Sequence, residues 1–252
     1  MHKRHTAFIP PDRTDQPIWR YIDLSKFIHI LQTSSLFFPR TDKLGDPFEG
    51  SVTLQTLGNR AIFAEYLKTQ GVNVQDDFSE RLAEHIRTMR QETYISCWHM
   101  SLVESAAMWS LYSNGFQSLA IKSTYQRFVN SIAEEPLDVY IGKVNYVDYD
   151  TVPIPEDNAF YPLIHKRQSF EHEKELRAIV WLTTDQKNRL NLESDSKPDG
   201  VGVCVDISTL FEEVHVSPLA PSWFTDIVNR LLTDQGIKVI VEHSMIGKQP
   251  LF

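Results

Sequence analysis

The sequence of 252 residues contains only two cysteines and no long uninterrupted apolar segment. No stretch approaches the roughly 18 to 20 apolar residues of a membrane span, and residues 1 to 5 lead into prolines instead of an apolar signal core. Cys97 and Cys204 each lie in an apolar, strand-like segment, where a buried and reduced thiol is expected. These features predict a cytoplasmic protein without a membrane anchor or a disulfide framework.

Several common nucleotide-binding and catalytic motifs are also absent. The chain has no Walker-type Gly-x-x-x-x-Gly-Lys, no dinucleotide Gly-x-Gly-x-x-Gly after its first strand, no Cys-x-x-Cys, no His-Glu-x-x-His and no Gly-x-Ser-x-Gly. The nine histidines are scattered as single residues, a pattern more typical of surface or core histidines than of metal ligands. Phosphate loops, zinc proteases and serine hydrolase elbows are therefore excluded as explanations.

The formal charge of −8 argues against broad binding to nucleic acid. Binding that ignores sequence depends on many lysine and arginine contacts to phosphate. Basic and acidic residues balance over the first 100 positions, so the acidic excess lies in the remaining 152. A local basic patch remains compatible with this composition.

The hydrophobic pattern predicts a single α+β domain with a central mixed β-sheet and surrounding helices. A strand at 18–22, a helix capped by Asp23 or Ser25, and strands at 35–38, 94–98, 118–122 and 139–146 follow from the local periodicity. Helical spacing predicts a helical insertion at about 58–92, and residues 1–17 form an N-terminal lead-in to a domain spanning 18–252. A strand at 213–217, a helix to about residue 234 and a strand at 238–242 indicate a crossover.

One run of charged residues is the most informative segment of the sequence about catalytic chemistry. It precedes an apolar stretch and carries four charged side chains at alternate positions: Glu171, Glu173, Glu175 and Arg177. In an extended chain these side chains share one face, with neighbours about 7 Å apart. Two partly buried carboxylates at that distance repel by roughly 2 kcal/mol, so one pKa must rise or a cation must join them. The alternative is a solvated helical turn capped by Ser169.

A loop and a helix offer further candidate residues. Asp46 and Glu49 flank a rigid Asp-Pro turn, which is either structural or joins Glu173 and Glu175 around a divalent cation. On a helix at about 104–112, Met108, Trp109 and Tyr112 share one face. Such a stripe is more often core, although aromatic residues at a pocket mouth also stack on planar rings.

Together these segments resemble a known bacterial family, domain of unknown function 2971. The resemblance runs from about residue 18 to 246 and rests on five segments: Trp19-Arg20-Tyr21, the loop at 45–49, Ser96 within Ile-Ser-Cys-Trp, Met108-Trp109 with Tyr112, and Lys166 followed by Glu173-Lys174-Glu175-Leu176-Arg177. Gly45 stands where the family usually has asparagine. The family label implies a fold and no activity.

The order of an arginine, a serine and a late Glu-x-Glu is also similar to that of NAD-consuming ADP-ribosyltransferases, including their DNA-targeting toxins. This resemblance implies that Arg20 holds the NAD pyrophosphate or ribose, that Ser96 positions the nicotinamide ribose, and that Glu175 stabilises the ribose cation. It further implies that Glu173 orients the acceptor. The remaining residues implied to bind the cofactor are Tyr21, Trp109, Tyr112, Lys166 and Arg177.

The sequence therefore supports an NAD-dependent ADP-ribosyltransferase-like or NAD-cleaving enzyme, as a toxin or anti-phage effector with a protein or nucleic-acid acceptor. Two alternatives stay open: a metal-dependent nuclease or phosphoesterase using the clustered carboxylates, and a ligand-binding or sensory module without chemistry. For an enzyme, Glu175→Gln is expected to abolish nicotinamide release without loss of stability. For a structural ion pair between Glu175 and Arg177, the same change is expected to destabilise the fold strongly.

Overall fold

A computed structural model describes residues 1–75, 77–113 and 115–248. Strands are distributed along the whole chain: β1 His2–Lys3, β2 Pro17–Asp23, β3 Ser35–Pro39, β4 Thr93–Met100, β5 Ser118–Thr124, β6 Val139–Lys143, β7 Asn145–Val147, β8 His165–Arg167, β9 Glu175–Trp181, β10 Gly200–Cys204, β11 Glu213–Val216 and β12 Ile240–His243. The α-helices lie between them: α1 Leu24–Thr33, α2 Leu54–Thr69, α3 Phe78–Glu92, α4 Ala106–Tyr112, α5 Tyr125–Ser131, α6 Thr184–Arg189, α7 Ile207–Leu210 and α8 Ser222–Asp234.

Eight strands form one mixed sheet in the order β1-β6-β9-β4-β2-β5-β11-β12. Its inner neighbours are antiparallel, whereas β1 pairs parallel with β6 and β12 pairs parallel with β11 at the two edges. Two small sheets, β3 with β10 and β7 with β8, lie beside it. The predicted α+β class with a central mixed sheet is thus confirmed, and the parallel β11–α8–β12 unit matches the predicted crossover.

Helix α1 shows how local sequence sets these elements. The Asp23 side chain accepts a hydrogen bond from the Lys26 amide and caps the helix, as the sequence predicts. Phe27, Ile30 and Leu31 recur on one face and are buried against the sheet. The helix therefore packs directly behind the strand that precedes it.

One face of the main sheet packs against the large hydrophobic core, and the other face packs against a smaller cluster. Alternate residues of β2, β4 and β9, such as Ile18, Trp98 and Ala178, join the large core that α1, α5 and α8 complete. The intervening residues point to the other face, where Ile95 and Ile179 belong to a smaller cluster with residues of α3 and of the segment at 160–164. The charged side chains of β9 lie on that second face.

The sheet is split where β2 meets β4. These strands pair through Ile18 with Met100 and Trp19 with His99, whereas β2 pairs with β5 over its whole length and β4 pairs with β9 from Thr93 to His99. After the pair of Trp19 with His99, no further residues of β2 and β4 pair in the part of the chain that the structure describes. A cleft opens at this divergence and reaches both faces of the sheet.

The structure corrects three expectations. The single strand expected at 139–146 is two strands, because the chain leaves the main sheet after Lys143 and pairs with β8 in a separate ladder. Cys204 is exposed, because the residues of the two-stranded β10 ladder alternate between the core and solvent. Neither interpretation of the run from Glu171 holds throughout, because a 3₁₀ turn covers Gln168–Glu173 with Glu173 buried instead of solvated, and the strand begins only at Glu175.

The insertion and the lead-in are placed as follows. Helices α2 and α3 fill 54–69 and 78–92, close to the expected insertion at 58–92. Strand β1 of the lead-in pairs with the sheet edge at β6, and Ala7 and Phe8 are buried. The domain boundary at residue 18 stays a prediction.

Among the helices of the described residues, none combines the length and apolar character that crossing a lipid bilayer demands.

Candidate active site

A cleft of about 800 Å³ occupies the split between β2 and β4. Strand β2 supplies Arg20 and Tyr21, helix α1 supplies Lys26 and His29, and the segment before β9 supplies Glu173. Its aromatic lining is extensive: Trp19, Tyr21, Phe37, Trp98, Tyr112 and Phe170. The volume is typical of sites that bury a small molecule, and the flat aromatic surfaces suit planar rings.

Arg20 is the isolated cation of this cleft. Its guanidinium donates to Ser96 Oγ through Nη1 and to the Phe37 carbonyl oxygen through Nη2 at 3.3 Å, and it lies 5.7 Å from the centre of the Trp98 ring. Among the described residues, no carboxylate lies within salt-bridge distance of this guanidinium. Burial lowers the pKa of Arg20 to about 10, which still leaves it protonated at neutral pH. An anion bound here would complete its coordination.

A cluster of three carboxylates and two cations lies at another part of the cleft, with the three carboxylates and Lys166 in its lining and Arg177 behind them. The Lys166 ammonium contacts Glu173 Oε2, Glu175 Oε1 at 2.6 Å and Glu49 Oε1 at 3.3 Å. The Arg177 guanidinium donates to Glu175 Oε2 at 2.7 Å and to Glu49 Oε1 at 2.9 Å. All five residues are at least nine-tenths buried. We call this set the carboxylate cluster.

Local backbone geometry brings Glu173 and Glu175 to the same ammonium. Lys174 between them adopts a left-handed conformation with φ 41°, which ends the 3₁₀ turn and starts β9. A lysine rarely takes this conformation, so the tertiary contacts on either side must hold it there. The Lys174 carbonyl accepts the Met100 amide, and the Tyr146 hydroxyl accepts the Glu175 amide at 2.8 Å.

The two carboxylates have opposite protonation tendencies. Burial and the hydrogen bond to Glu175 raise the pKa of Glu173 to about 7. Although burial opposes it, the charges of Arg177 and Lys166 hold the pKa of Glu175 well below its usual range. The pair therefore presents one permanently ionised carboxylate beside one that can take or give a proton near neutral pH.

The raised pKa of Glu173 predicts that the free energy of unfolding depends on pH. Its folded-state pKa of about 7 lies above the unfolded value of 4.5, so the folded chain binds more protons between these pH values. Stability contributed by protonated Glu173 is therefore present at low pH and is lost as the pH rises through about 7. We expect the wild type to lose more stability between pH 5 and 8 than Glu173→Gln, by at most about 1.4 kcal/mol per pH unit and less where solvent screens the group.

Urea unfolding of both proteins at pH 5, 6, 7 and 8 measures this difference. Titrating groups remote from the carboxylate cluster are common to the wild type and Glu173→Gln, so their contributions cancel when the two curves are subtracted, and the difference reports Glu173 together with the groups that it contacts. Parallel curves over this range contradict a raised pKa at Glu173.

The aromatic site residues have different positions. Tyr112 is 47% exposed, lines the cleft and donates from its hydroxyl to Glu173 Oε1 at 2.9 Å. Tyr21 also lines the cleft, and its hydroxyl accepts the Ser105 amide at 2.9 Å. Trp109 is buried behind Tyr21, with ring centres 5.1 Å apart, and its indole donates to Glu104. Trp109 thus supports the cleft wall without lining it.

Ser96 and Arg177 lie outside the surface of the cleft. Strand alternation puts Arg20 and Ser96 on the sheet face opposite Glu175, and Ser96 is buried beneath the Arg20 guanidinium. Arg177 is fully buried behind Glu175 and Glu49. Of the nine site residues expected from the sequence, six line one cleft: Arg20, Tyr21, Tyr112, Lys166, Glu173 and Glu175.

The arrangement bears on the metal alternative. Glu49, Glu173 and Glu175 do gather, but the Lys166 ammonium occupies the centre that this hypothesis gives to a divalent cation. Asp46 points away to Arg167, with Oδ1 2.8 Å from Nη2. A divalent ion at this point would have to displace the ammonium, so the arrangement favours a cluster of carboxylates around Lys166 over a metal site.

Sequence reasoning missed several residues of the cleft. His99 lines it and, with burial lowering its pKa, remains neutral while its Nδ1–H donates to the Glu173 carbonyl oxygen at 2.6 Å. Phe37 and Trp98 contribute aromatic surface around Arg20. The spacing of Ser96 and His99 within one strand is a weak signal, and no local pattern relates Phe37 of β3 to this site.

Comparison with known proteins finds a distant structural similarity. No protein-family model matches this chain, and no curated protein matches it significantly. Solved structures of DarT from Thermus sp. 2.9 align over most of both chains. The complex with NAD⁺ is 11% identical, covers 95% of this chain and 100% of its own, and has a TM-score of 0.42.

Two further DarT complexes align similarly. The carba-NAD⁺ complex is 10% identical over 92% of this chain and 96% of its own, with a TM-score of 0.40. The complex with ADP-ribosylated ssDNA is 10% identical over 96% of this chain and 99% of its own, with a TM-score of 0.41. Because the sequence identities and TM-scores are this low, the function has to be argued from the residues of the cleft and not from these alignments.

Proposed function

We propose that this protein binds NAD in the cleft and breaks its nicotinamide–ribose bond, in the manner of an ADP-ribosyltransferase. The observation that carries the proposal is the separation of charge within the lining of one cleft: a guanidinium on β2 that has no carboxylate partner among the described residues, and the carboxylates of Glu49, Glu173 and Glu175 elsewhere in the same lining. NAD has the complementary pattern, because its diphosphate is anionic and its reacting ribose becomes cationic as nicotinamide leaves.

Arg20 is suited to the diphosphate. A guanidinium donates paired, charge-assisted hydrogen bonds to phosphate oxygens, and the Trp98 face behind it limits its motion. The Ser96 hydroxyl accepts from Nη1, so we assign Ser96 the role of positioning Arg20 instead of contacting the ribose. The aromatic lining of the cleft provides surfaces on which the planar nicotinamide and adenine rings can stack.

Glu175 and Glu173 are suited to the bond-breaking step. When the glycosidic bond breaks, nicotinamide leaves as a neutral ring with the bonding electron pair, and the ribose develops positive charge. Ionised Glu175, held by Lys166 and Arg177, presents fixed negative charge to that cation. Glu173, with its pKa near 7, accepts the proton of the incoming acceptor as the new bond to ribose forms.

The acceptor and the biological role follow from the sequence resemblance. We include in the proposal a protein or nucleic-acid acceptor and a role as a toxin or anti-phage effector. Water as acceptor makes the same site an NAD-cleaving hydrolase, since the carboxylate chemistry is unchanged. The domain of unknown function 2971 resemblance is part of the same proposal.

Binding and release of nicotinamide test the proposal. We expect the wild type to bind NAD in calorimetry and to release nicotinamide, measured by chromatography, with broad pools of protein and nucleic acid as acceptors. Arg20→Ala is expected to weaken NAD binding about 100-fold, or about 2.7 kcal/mol, because two charge-assisted hydrogen bonds to the diphosphate are lost. Since no salt bridge of Arg20 exists among the described residues, the variant should stay folded.

Arg13→Ala is the matched control. Arg13 is an exposed arginine outside the cleft, paired with Asp15, and its removal should leave NAD binding unchanged. Binding without nicotinamide release indicates the ligand-binding module instead of the enzyme. A wild type that neither binds NAD nor releases nicotinamide contradicts both forms of the proposal.

A further inference from the structure

A second cluster of potential ligands lies on the last two strands at one edge of the main sheet, outside the lining of the cleft. Glu213 and His215 project from β11 on the face that Trp19 shares, and Glu242 stands opposite His215 in the parallel register with β12. One nitrogen of His215 and one oxygen of each glutamate all lie within 4.8 Å of one another. Nitrogen and carboxylate ligands on one side of a rigid strand pair are a typical metal-binding set.

We propose that Glu213, His215 and Glu242 bind a divalent transition-metal ion of the Zn²⁺ type. His215 Nε2 lies 2.9 Å from Glu213 Oε2, about half an ångström closer than the roughly 3.4 Å between two tetrahedral ligands that are each about 2.1 Å from one ion, so a small side-chain shift would admit the ion. The exposed Glu242 provides the third ligand, and solvent completes the coordination on the open side.

Glu104 supplies the outer partner that a metal-bound histidine requires. Its Oε1 lies 3.3 Å from His215 Nδ1, and its carboxylate accepts hydrogen bonds from Trp109, Ser244 and the Met245 amide. A carboxylate fixed in this way favours the tautomer with hydrogen on Nδ1, which turns the Nε2 lone pair toward Glu213 and Glu242. The ring is about 95% buried, so its orientation is set by packing.

The charge balance around His215 favours a cation. Glu104, Glu213 and Glu242 surround the ring, and Glu212 lies nearby, whereas within the described part of the chain one ammonium, that of Lys122, contacts these carboxylates. Lys122 contacts Glu213 Oε1 at 2.7 Å and leaves Oε2 for the ion. Both ring nitrogens face carboxylates, and without a metal a doubly protonated ring satisfies both. A metal ion at Nε2 would take the place of the proton on that nitrogen.

The site joins the edge strand β12 to β11 through side chains. Most of β12 is exposed, and apart from backbone pairing with β11 it is held by Val241, which packs against the core, and by His243, which contacts the Ala220 carbonyl oxygen. A metal bridge between Glu242 and the two ligands of β11 would hold this edge in place. The three ligands do not line the cleft, so the site is independent of the proposed function.

Titration of the full chain with Zn²⁺ tests the site. After treatment with EDTA and dialysis, we expect calorimetry to show one binding site and Zn²⁺ to raise the Tm. Glu242→Gln is expected to weaken Zn²⁺ binding at least 10-fold and to lose the Tm increase, while its metal-free Tm stays unchanged because the side chain is exposed. Glu212→Gln removes a neighbouring charge outside the three ligands and should retain binding.

Co²⁺ provides the second readout. Visible absorption bands typical of nitrogen and oxygen ligands, which Glu242→Gln loses, support the assignment. Three results overturn it: no heat or Tm change with Zn²⁺ in the wild type, equal weakening by Glu242→Gln and Glu212→Gln, or intense thiolate bands that place the ion at a cysteine. Because Glu242 is exposed, the result does not depend on a buried substitution that fails to fold.

Discussion

Arg177→Met is expected to lower the free energy of unfolding by about 3 to 5 kcal/mol. Arg177 is fully buried, and its guanidinium contacts Glu49, Glu175 and the Leu163 carbonyl oxygen. Methionine fills much of the volume but leaves the three carboxylates of a poorly solvated cluster with one cation, Lys166, instead of two. Urea unfolding at pH 7 measures the loss.

Two further variants separate burial from charge. Arg87→Met removes an arginine that is 58% exposed and paired with Glu84 on the surface of α3, so it should cost less than about 1 kcal/mol. Adding Glu49→Gln to Arg177→Met should recover part of the loss, because it removes one of the three carboxylates that then share the single ammonium of Lys166. If Arg177→Met and Arg87→Met are equally mild, the carboxylate cluster is not a buried ion network.

Glu173→Gln is expected to reduce the rate of ADP-ribosyl transfer by about 100- to 1000-fold, because glutamine cannot accept the proton of the acceptor. The amide oxygen can still accept the Tyr112 hydroxyl, and Lys166 retains Glu49 and Glu175 as partners. Nicotinamide release at saturating NAD and acceptor measures the rate. The affinity for NAD should change little, since Arg20 carries the contact to the diphosphate.

Glu171→Gln is the control for this variant. Glu171 belongs to the same 3₁₀ turn but is exposed and does not line the cleft, so its loss should leave the rate unchanged. Equal rates for the wild type and Glu173→Gln contradict the role of Glu173 as the proton acceptor. If Glu171→Gln and Glu173→Gln reduce the rate equally, the reduction comes from a disturbed 3₁₀ turn and not from the loss of the Glu173 carboxylate.

Glu175→Gln cannot distinguish an enzyme from a structural protein, contrary to the expectation from sequence. The reason is that Glu175 contacts both Lys166 and Arg177 inside the cluster. Its loss is expected to reduce stability whether or not the protein is an enzyme. Glu173 and Arg20 are better tests, because each can be changed without leaving a buried cation alone.

Much of the fold could be read from local pattern. The apolar spacing of α1, its Asp23 cap and the alternation of β2 and β4 are properties of neighbouring residues, and the structure has these elements close to their expected limits. Boundaries failed where tertiary contacts compete with local preference. The chain leaves the sheet after Lys143, and the run before Glu175 turns, because β8 and Lys166 offer partners that a continuous strand would not reach.

The sequence by itself determined the class of the fold and the residue types available for chemistry, because both follow from composition and short-range periodicity. Tertiary structure alone decided which of those residues meet. The divergence of β2 from β4 brings Arg20 to the same cleft as Glu173 and Glu175, although strand alternation puts Arg20 on the opposite face. Burial around Lys166 then separates the pKa values of two glutamates that are equivalent in the sequence, since desolvation and nearby charge depend on the folded surroundings.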